Sequence, residues 1–151
     1  MGAITENSVL LLANPEKISS YNASEIYNIH LLKPNLENTL NIKDMTSYGD
    51  ALFFLDVQKM NIWKYAITES VFNGAGWLKA PSDELTNAQS IAVDGNVFIS
   101  KENGSIIEYS QGKFKIYILQ SAVQPFGLLK TALLDGLGFT SRGSIYVVET
   151  K

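Results

Sequence analysis

The sequence contains no cysteine, which excludes disulfides, thiol nucleophiles and cysteine-ligated zinc and leaves the compartment open. It has one histidine, His30, inside "YNIHLL", an alternating stretch that reads as an outer strand. A single imidazole with no partner at fixed spacing reads as a strand residue rather than a metal ligand or acid–base group. Blocks of basic residues are also missing. The 12 Lys and Arg are scattered singly and the formal net charge is −3, so the chain lacks the electrostatic footprint of a nucleic-acid binder. The segment "MGAITENSVLLLANPEK" has only Val9 to Ala13 as an apolar run and no Lys or Arg before it, so it reads neither as a signal peptide nor as a membrane span. Glu6 stands where a myristoylation motif requires Ser or Thr. There is no G-x-S-x-G elbow. "GLGFTSRG" (136–143) lacks both G-x-G-x-x-G and a Gly-Lys-Thr ending, and reads as a loop before a strand.

What is present is a globular composition: 151 residues, 46% hydrophobic and 18% charged, enough for one domain with a sizeable core. Within it, "NVFISKENGSIIEY" (96–109) sets Asn103-Gly104 between two short apolar runs. This predicts a hairpin closed by a type I′ turn, because both residues tolerate positive φ. The motif recurs. "LLLANPEKISSY" (10–21), "LFFLDVQKMNIWKY" (52–65) and "VFISKENGSIIEY" (97–109) each run from an apolar strand through a polar turn to an Ile and a final Tyr. Ile18, Ile62 and Ile106 are 44 residues apart, as are Tyr21, Tyr65 and Tyr109, and an acid keeps the same step at Glu6, Asp50 and Asp94. "SIYVVETK" (144–151) reads as the opening of a fourth copy, with Val148 matching Ile99.

A strand-based period of this length predicts an all-β, β-propeller-like fold of consecutive four-stranded antiparallel blades. The expected organisation is a single partial propeller domain, 1–151, with blades at about 2–34, 41–80, 88–120 and 131–151. The last blade is expected to be incomplete, so the ring is open at about three and a half blades. The best-preserved copy shows why. "SIAV", "VFISK", "SIIEYS" and "KFKIYIL" are four strands separated by Asp94-Gly95-Asn96, Glu102 to Ser105, and Gln111-Gly112. The stretch 121–138 exceeds a plain connection and reads as an insertion loop at the rim, with a helical turn or two over Leu128 to Leu134. An open set of blades leaves apolar flanks to be covered, by the rest of a longer polypeptide or by a second copy.

"ALFFLDVQKMNIWKY" resembles the "LYVLDxxxNRIxKY" cadence of bacterial NHL and YVTN-type propeller repeats, and "IAVDGNVFIS" is similar to the strand pair that precedes it. The first copy departs from that cadence at Ala13-Asn14-Pro15. The resemblance implies a fold and a range of uses: such scaffolds bind proteins, sugars, RNA or small molecules, and some catalyse. In some bacterial proteins a similar propeller follows a metal-dependent protein phosphatase, whose paired-Asp motifs are not found here.

Two functional expectations follow. The first is a non-catalytic binding module in which loops at one end meet a protein, peptide or glycan. Pro125, Phe126, Phe139 and Arg142 are its candidate contact residues, because loops that exceed a repeat are where specificity lives. No nucleic acid, membrane or cofactor is expected. The alternative is part of a propeller enzyme, or of a phosphatase-fusion protein, with Asp44, Asp94 and Asp135 facing the central channel around a divalent cation such as calcium. The recurrent acid at the first turn also has a plain structural reading, since Asp suits tight connections. Trp63, Trp77 and the recurrent tyrosines read either as packing between blades or as a sugar-stacking platform. Asn22-Ala-Ser24 and Asn103-Gly-Ser105 match the glycosylation pattern, which carries meaning only in a secreted protein.

Overall fold

The computed structural model describes the backbone of residues 2–4, 9–13, 18–22, 25–32, 41–67, 72–118, 128–132, 136–141 and 144–149, and the side chains of 41–65 and 76–118. Four antiparallel meander sheets follow one another along the chain. The first holds β1 (Gly2–Ile4), β2 (Val9–Ala13), β3 (Ile18–Asn22) and β4 (Glu25–Leu32). The second holds β5 (Ile42–Tyr48), β6 (Ala51–Asp56), β7 (Asn61–Ile67) and β8 (Phe72–Gly76). The third holds β9 (Ala88–Asp94), β10 (Asn96–Lys101), β11 (Ile106–Ser110) and β12 (Lys113–Tyr117). The fourth holds β13 (Leu128–Ala132), β14 (Gly136–Ser141) and β15 (Ser144–Glu149). The first strands of successive sheets are neighbours in the order β1, β5, β9, β13, which makes them the inner strands of an incomplete ring.

The last sheet corrects the sequence reading. Residues 128–132 and 136–141 are paired strands, not an insertion loop with a helical turn, and "SIYVVE" is the third strand of its sheet, not the second. Pairing shows the true correspondence. Tyr21 stands opposite Leu10, Tyr65 opposite Leu52, Tyr109 opposite Val97 and Val148 opposite Leu137, so the fourth copy places Val where the others place Tyr. Its strand arrives early because the repeat there is shorter, and an apolar run such as "LLKTALL" satisfies strand and helix patterns alike until its neighbours pair with it.

The 44-residue step has a physical origin in β7 and β11. Ile62 pairs with Leu55 on the face that packs against the third sheet, whereas Tyr65, three residues on, lies on the opposite face. In β11, Tyr109 joins the layer facing the second sheet and Ile106 is buried on the other side. β7 and β11 thus each send an Ile forward and a Tyr backward, and keeping that pair in step keeps their blade contacts in register. The shared layer comprises Phe53, Leu55 and Ile62 from one sheet and Ile91, Val93, Val97, Ile99 and Ile107 from the next, closed at one end by Leu78, Leu85 and Ala88. Each Val, Leu, Ile or Phe side chain in it contributes about 1.5–3 kcal/mol on burial. Phe54, Ile62, Ile99 and Ile106, on the apolar alternations of their strands, are buried, while Tyr146 lies outside the described side chains.

Turn chemistry differs from the expected form. At 101–106 only Gly104 has positive φ (84°), Gly104 N–H donates to Lys101 O at 3.0 Å, and Lys101 N–H donates to Ser105 O at 2.9 Å. This is a type I turn followed by a left-handed residue, a three-residue hairpin loop and not the I′ turn that Asn-Gly suggests. Asn103 stays out of positive φ because its Oδ1 accepts from both Ser105 N–H (3.0 Å) and Ser105 Oγ–H (2.7 Å). The I′ geometry occurs instead at Gln111 (φ 50°) and Gly112 (φ 81°), between β11 and β12. A left-handed non-glycine residue costs about 1–2 kcal/mol. Gly112→Ala, which meets no neighbouring atom, is therefore expected to destabilise the chain by that amount, while Gln111→Gly leaves it as stable or more so; urea midpoints of the two variants measure both.

Candidate functional site

Topology sorts the loops before any side chain is considered. β8 finishes beside the start of β7 (Gly76 opposite Trp63), and β9 begins beside the end of β10 (Ala88 opposite Lys101). The connection 77–87 therefore joins the β6–β7 turn of one sheet to the β10–β11 turn of the next, and these loops gather at one end of the molecule. Three backbone bonds fasten it there: Trp77 N–H to Ile62 O (2.7 Å), Ser82 N–H to Met60 O (2.9 Å) and Glu102 N–H to Asn87 O (2.9 Å). Ser82 caps the 3₁₀ turn Asp83–Leu85 by accepting from Glu84 N–H at 3.3 Å, which drives Leu85 into the core. The tight β5–β6 and β9–β10 hairpins, carrying Asp50 and Asp94, lie at the other end, both acids exposed.

The proposed channel acids are not alike. Asp44, on inner strand β5, is buried, and its Oδ2 accepts from the backbone N–H of Ile91 on inner strand β9 at 3.0 Å. A carboxylate in that position bridges two sheets. Asp94 is three residues beyond Ile91, about 10 Å of strand away, at the exposed hairpin. Asp135 lies outside the described residues, as do Pro125, Phe126 and Arg142; Phe139 is described only as backbone, in β14 opposite Leu129 and Tyr146. Among the described residues no group of three or more His, Asp or Glu is placed to hold a metal ion. His30 sits in β4, the outer strand of its sheet, opposite Ser20.

The β6–β7 corner holds polar groups that sequence reasoning passed over. Asp56 is fully buried, and its Oδ1 accepts from Gln58 N–H (3.1 Å) and Lys59 N–H (2.9 Å), building the turn. Asn61, opposite it, accepts from Leu78 N–H at 3.3 Å and so ties the 77–87 connection to the sheet. Asp56 Oδ2 and Trp63 Nε1 have no hydrogen-bond partner among the described residues. Lys59 Nζ lies 5.5 Å from the Trp63 ring. The signal for this corner was the "LDxxxN" phrase, whose Asp and Asn are both structural. The aromatics divide similarly: Tyr65 is buried edge-on to Phe54 at 5.2 Å, and Trp77 packs on Phe53 at 4.7 Å.

Comparison with known proteins gives the fold. No family model matches the chain, and no curated protein matches its sequence. Solved structures do. The chain is similar to virginiamycin B lyase from Staphylococcus aureus (TM-score 0.62, 13% identity, 95% of this chain and 48% of that one). It is also similar to PorZ, a surface component of the type-IX secretion system of Porphyromonas gingivalis (TM-score 0.56, 14% identity, 97% of this chain and 19% of that one). A third likeness is to the computationally designed Ika4 protein (TM-score 0.61, 10% identity, 99% of this chain and 89% of that one). The fold is that of a β-propeller. At these identities the likeness carries no activity across, and the chain spans less than half the length of the two natural proteins just named.

Two outcomes test the polar joints. Removing the Asp44 acceptor leaves the Ile91 N–H unbonded in a buried site, so Asp44→Ala is expected to cost about 1–3 kcal/mol in urea unfolding. Tyr65 is pushed up from its ordinary value to about 12, first by burial and second by the Asp56 charge. Its folded value lies above the unfolded one, so the stability it contributes is fully present below about pH 10 and is lost as pH rises through about 12. Spectroscopic titration should show one phenol ionising late, with Tyr65→Phe removing that step and Asp56→Asn lowering it only partly.

Proposed function

We propose that this chain is a non-catalytic binding module built on propeller repeats, whose ligand, a protein, peptide or glycan, is met by loops at one end. The observation that carries this reading is the use of the buried acids as architecture: Asp44 joins two sheets and Asp56 builds a turn, which leaves the loops as the adaptable part of the molecule. By chain order, Pro125 and Phe126 fall in the connection between β12 and β13, and Arg142 in the β14–β15 turn. These are the same two kinds of segment that gather at the 77–87 end in the second and third sheets. Propeller scaffolds, the WD40 domain of Neurospora crassa Pan2 among those similar to this chain (TM-score 0.56, 9% identity, 99% of this chain and 45% of that one), support an interaction role at the level of fold. The remaining blades come from a longer chain or a second copy, the latter giving a shared ring of eight sheets.

Glycan and peptide arrays probed with the purified chain test the reading. A ligand is expected whose binding falls at least about tenfold in Phe126→Ala or Arg142→Ala and is unchanged in Asp94→Asn at the opposite end. Loss in Asp94→Asn alone, or turnover of the captured ligand, would overturn it. Calcium is expected to leave the melting midpoint where it is; an upward shift would instead favour a cation held among the channel acids.

A further inference from the structure

The outer strand of the third sheet presents a surface that the end-loop reading does not use. β12 is the edge of its sheet, and its pairing with β11 is regular over all five residues, with no bulge to turn the edge away. Among the described residues no side chain closes over the apolar groups beside it. Ile116 is 52% exposed and Ile118 81% exposed, the latter two residues beyond Ile116 on the same alternation, and both share that alternation with Phe114. Behind Phe114 a line of rings runs inward across the joint between two blades: Tyr109 at 4.8 Å, Trp77 at 6.4 Å from Tyr109, and Phe53 at 4.7 Å from Trp77. Lys64 Nζ stands over the last two, 5.7 and 6.0 Å from their centroids.

The two faces of β12 are chemically distinct. Phe114 and Ile116 lie on the aromatic side, while Lys113 and Lys115, both exposed, lie on the other. Glu108, the acid on that second face of β11, stands opposite Lys115, is bonded to Asn96 Nδ2 at 2.7 Å and receives the Tyr117 hydroxyl, and Lys115 Nζ lies 4.6 Å from the Tyr117 ring, while Lys113 pairs with the neutral Ser110. Hairpin geometry also decides which backbone groups are free. A two-residue I′ turn makes Ser110 and Lys113 a hydrogen-bonded pair, so Lys113, Lys115 and Tyr117 direct their N–H and C=O groups to β11 and Phe114 and Ile116 direct theirs outward.

We propose that the β12 edge receives an extended segment of another protein as an added strand, one that alternates acidic with apolar residues. The strand's backbone bonds to Phe114 and Ile116, its acids meet Lys113 and Lys115, and its apolar side chains cover Phe114, Ile116 and Ile118. A second copy of β12 is disfavoured as the occupant, because pairing the strand with itself sets lysines near lysines. Charge complementarity selects the acidic partner: Lys113 and Lys115 stand exposed at alternate positions of the edge strand, in a chain whose net charge is −3.

The test uses the whole chain and two short synthetic peptides, one alternating Glu with Val and the other alternating Lys with Val. The Glu-Val peptide is expected to bind and to shift the backbone amide resonances of Phe114, Ile116 and Ile118. The double variant Lys113→Glu/Lys115→Glu should lose it by at least about tenfold and gain the Lys-Val peptide in its place. A Glu-Val peptide N-methylated at alternate residues should fail to bind, since side-chain charge alone would not be affected by that change. Equal binding of both peptides to the natural chain, indifference to N-methylation, or shifts confined to another surface would overturn the proposal. Phe126→Ala should leave this peptide's affinity unchanged, so failure of the end-loop reading and failure of this one are told apart.

Discussion

Ile62 and Ile107 belong to different sheets yet share one apolar layer, and that layer is the constraint on which the structure depends. A four-stranded meander has two faces and cannot bury either alone, so each sheet needs a neighbour on both sides. The strands that meet at the layer are apolar almost throughout: β6 is buried at all six positions because one alternation faces forward and the other back. Such a strand cannot show the apolar–polar alternation of a sheet with one wet face.

Polar groups inside this arrangement are few and do specific work at joints. Asp44 reaches across from β5 to the Ile91 N–H, Asn61 holds the Leu78 N–H, and the Ser90 and Ser100 hydroxyls meet at 2.6 Å on paired strands of one sheet. Each satisfies a buried donor or acceptor that would otherwise be costly, and each ties together segments that the apolar layer alone would leave free to slide. Acids that look catalytic in one dimension can thus be consumed by the fold in three.

The outer edge obeys a different rule. The inner strands β5 and β9 meet those of neighbouring sheets, whereas β12 ends its ladder with no strand on its outer side among the described residues. Charged side chains on such an edge ordinarily discourage association. On β12 the lysines alternate with a hydrophobic stripe whose inner end runs into the aromatic seam between blades, so the same residues that repel an identical strand are complementary to an acidic one.

Residue spacing alone shows that this is a repeat of short strands. The steps of Ile18, Ile62 and Ile106 and of Tyr21, Tyr65 and Tyr109 are legible as spacing, and in β7 and β11 one side chain packs forward and the other back, so a change in spacing there would break both contacts. Turn positions were legible too, through Asn103-Gly104 and Gln111-Gly112, although the type of each turn was decided by the hydrogen bonds of Asn103 and by strand register, neither of which a dipeptide encodes. The remainder depended on contacts between segments distant in the chain. It assigned Leu128–Ala132 to a strand, since an apolar run becomes helix or strand according to what lies beside it. It also made Asp44 a link between sheets, since a carboxylate's role depends on which donor the neighbouring chain brings within about 3 Å.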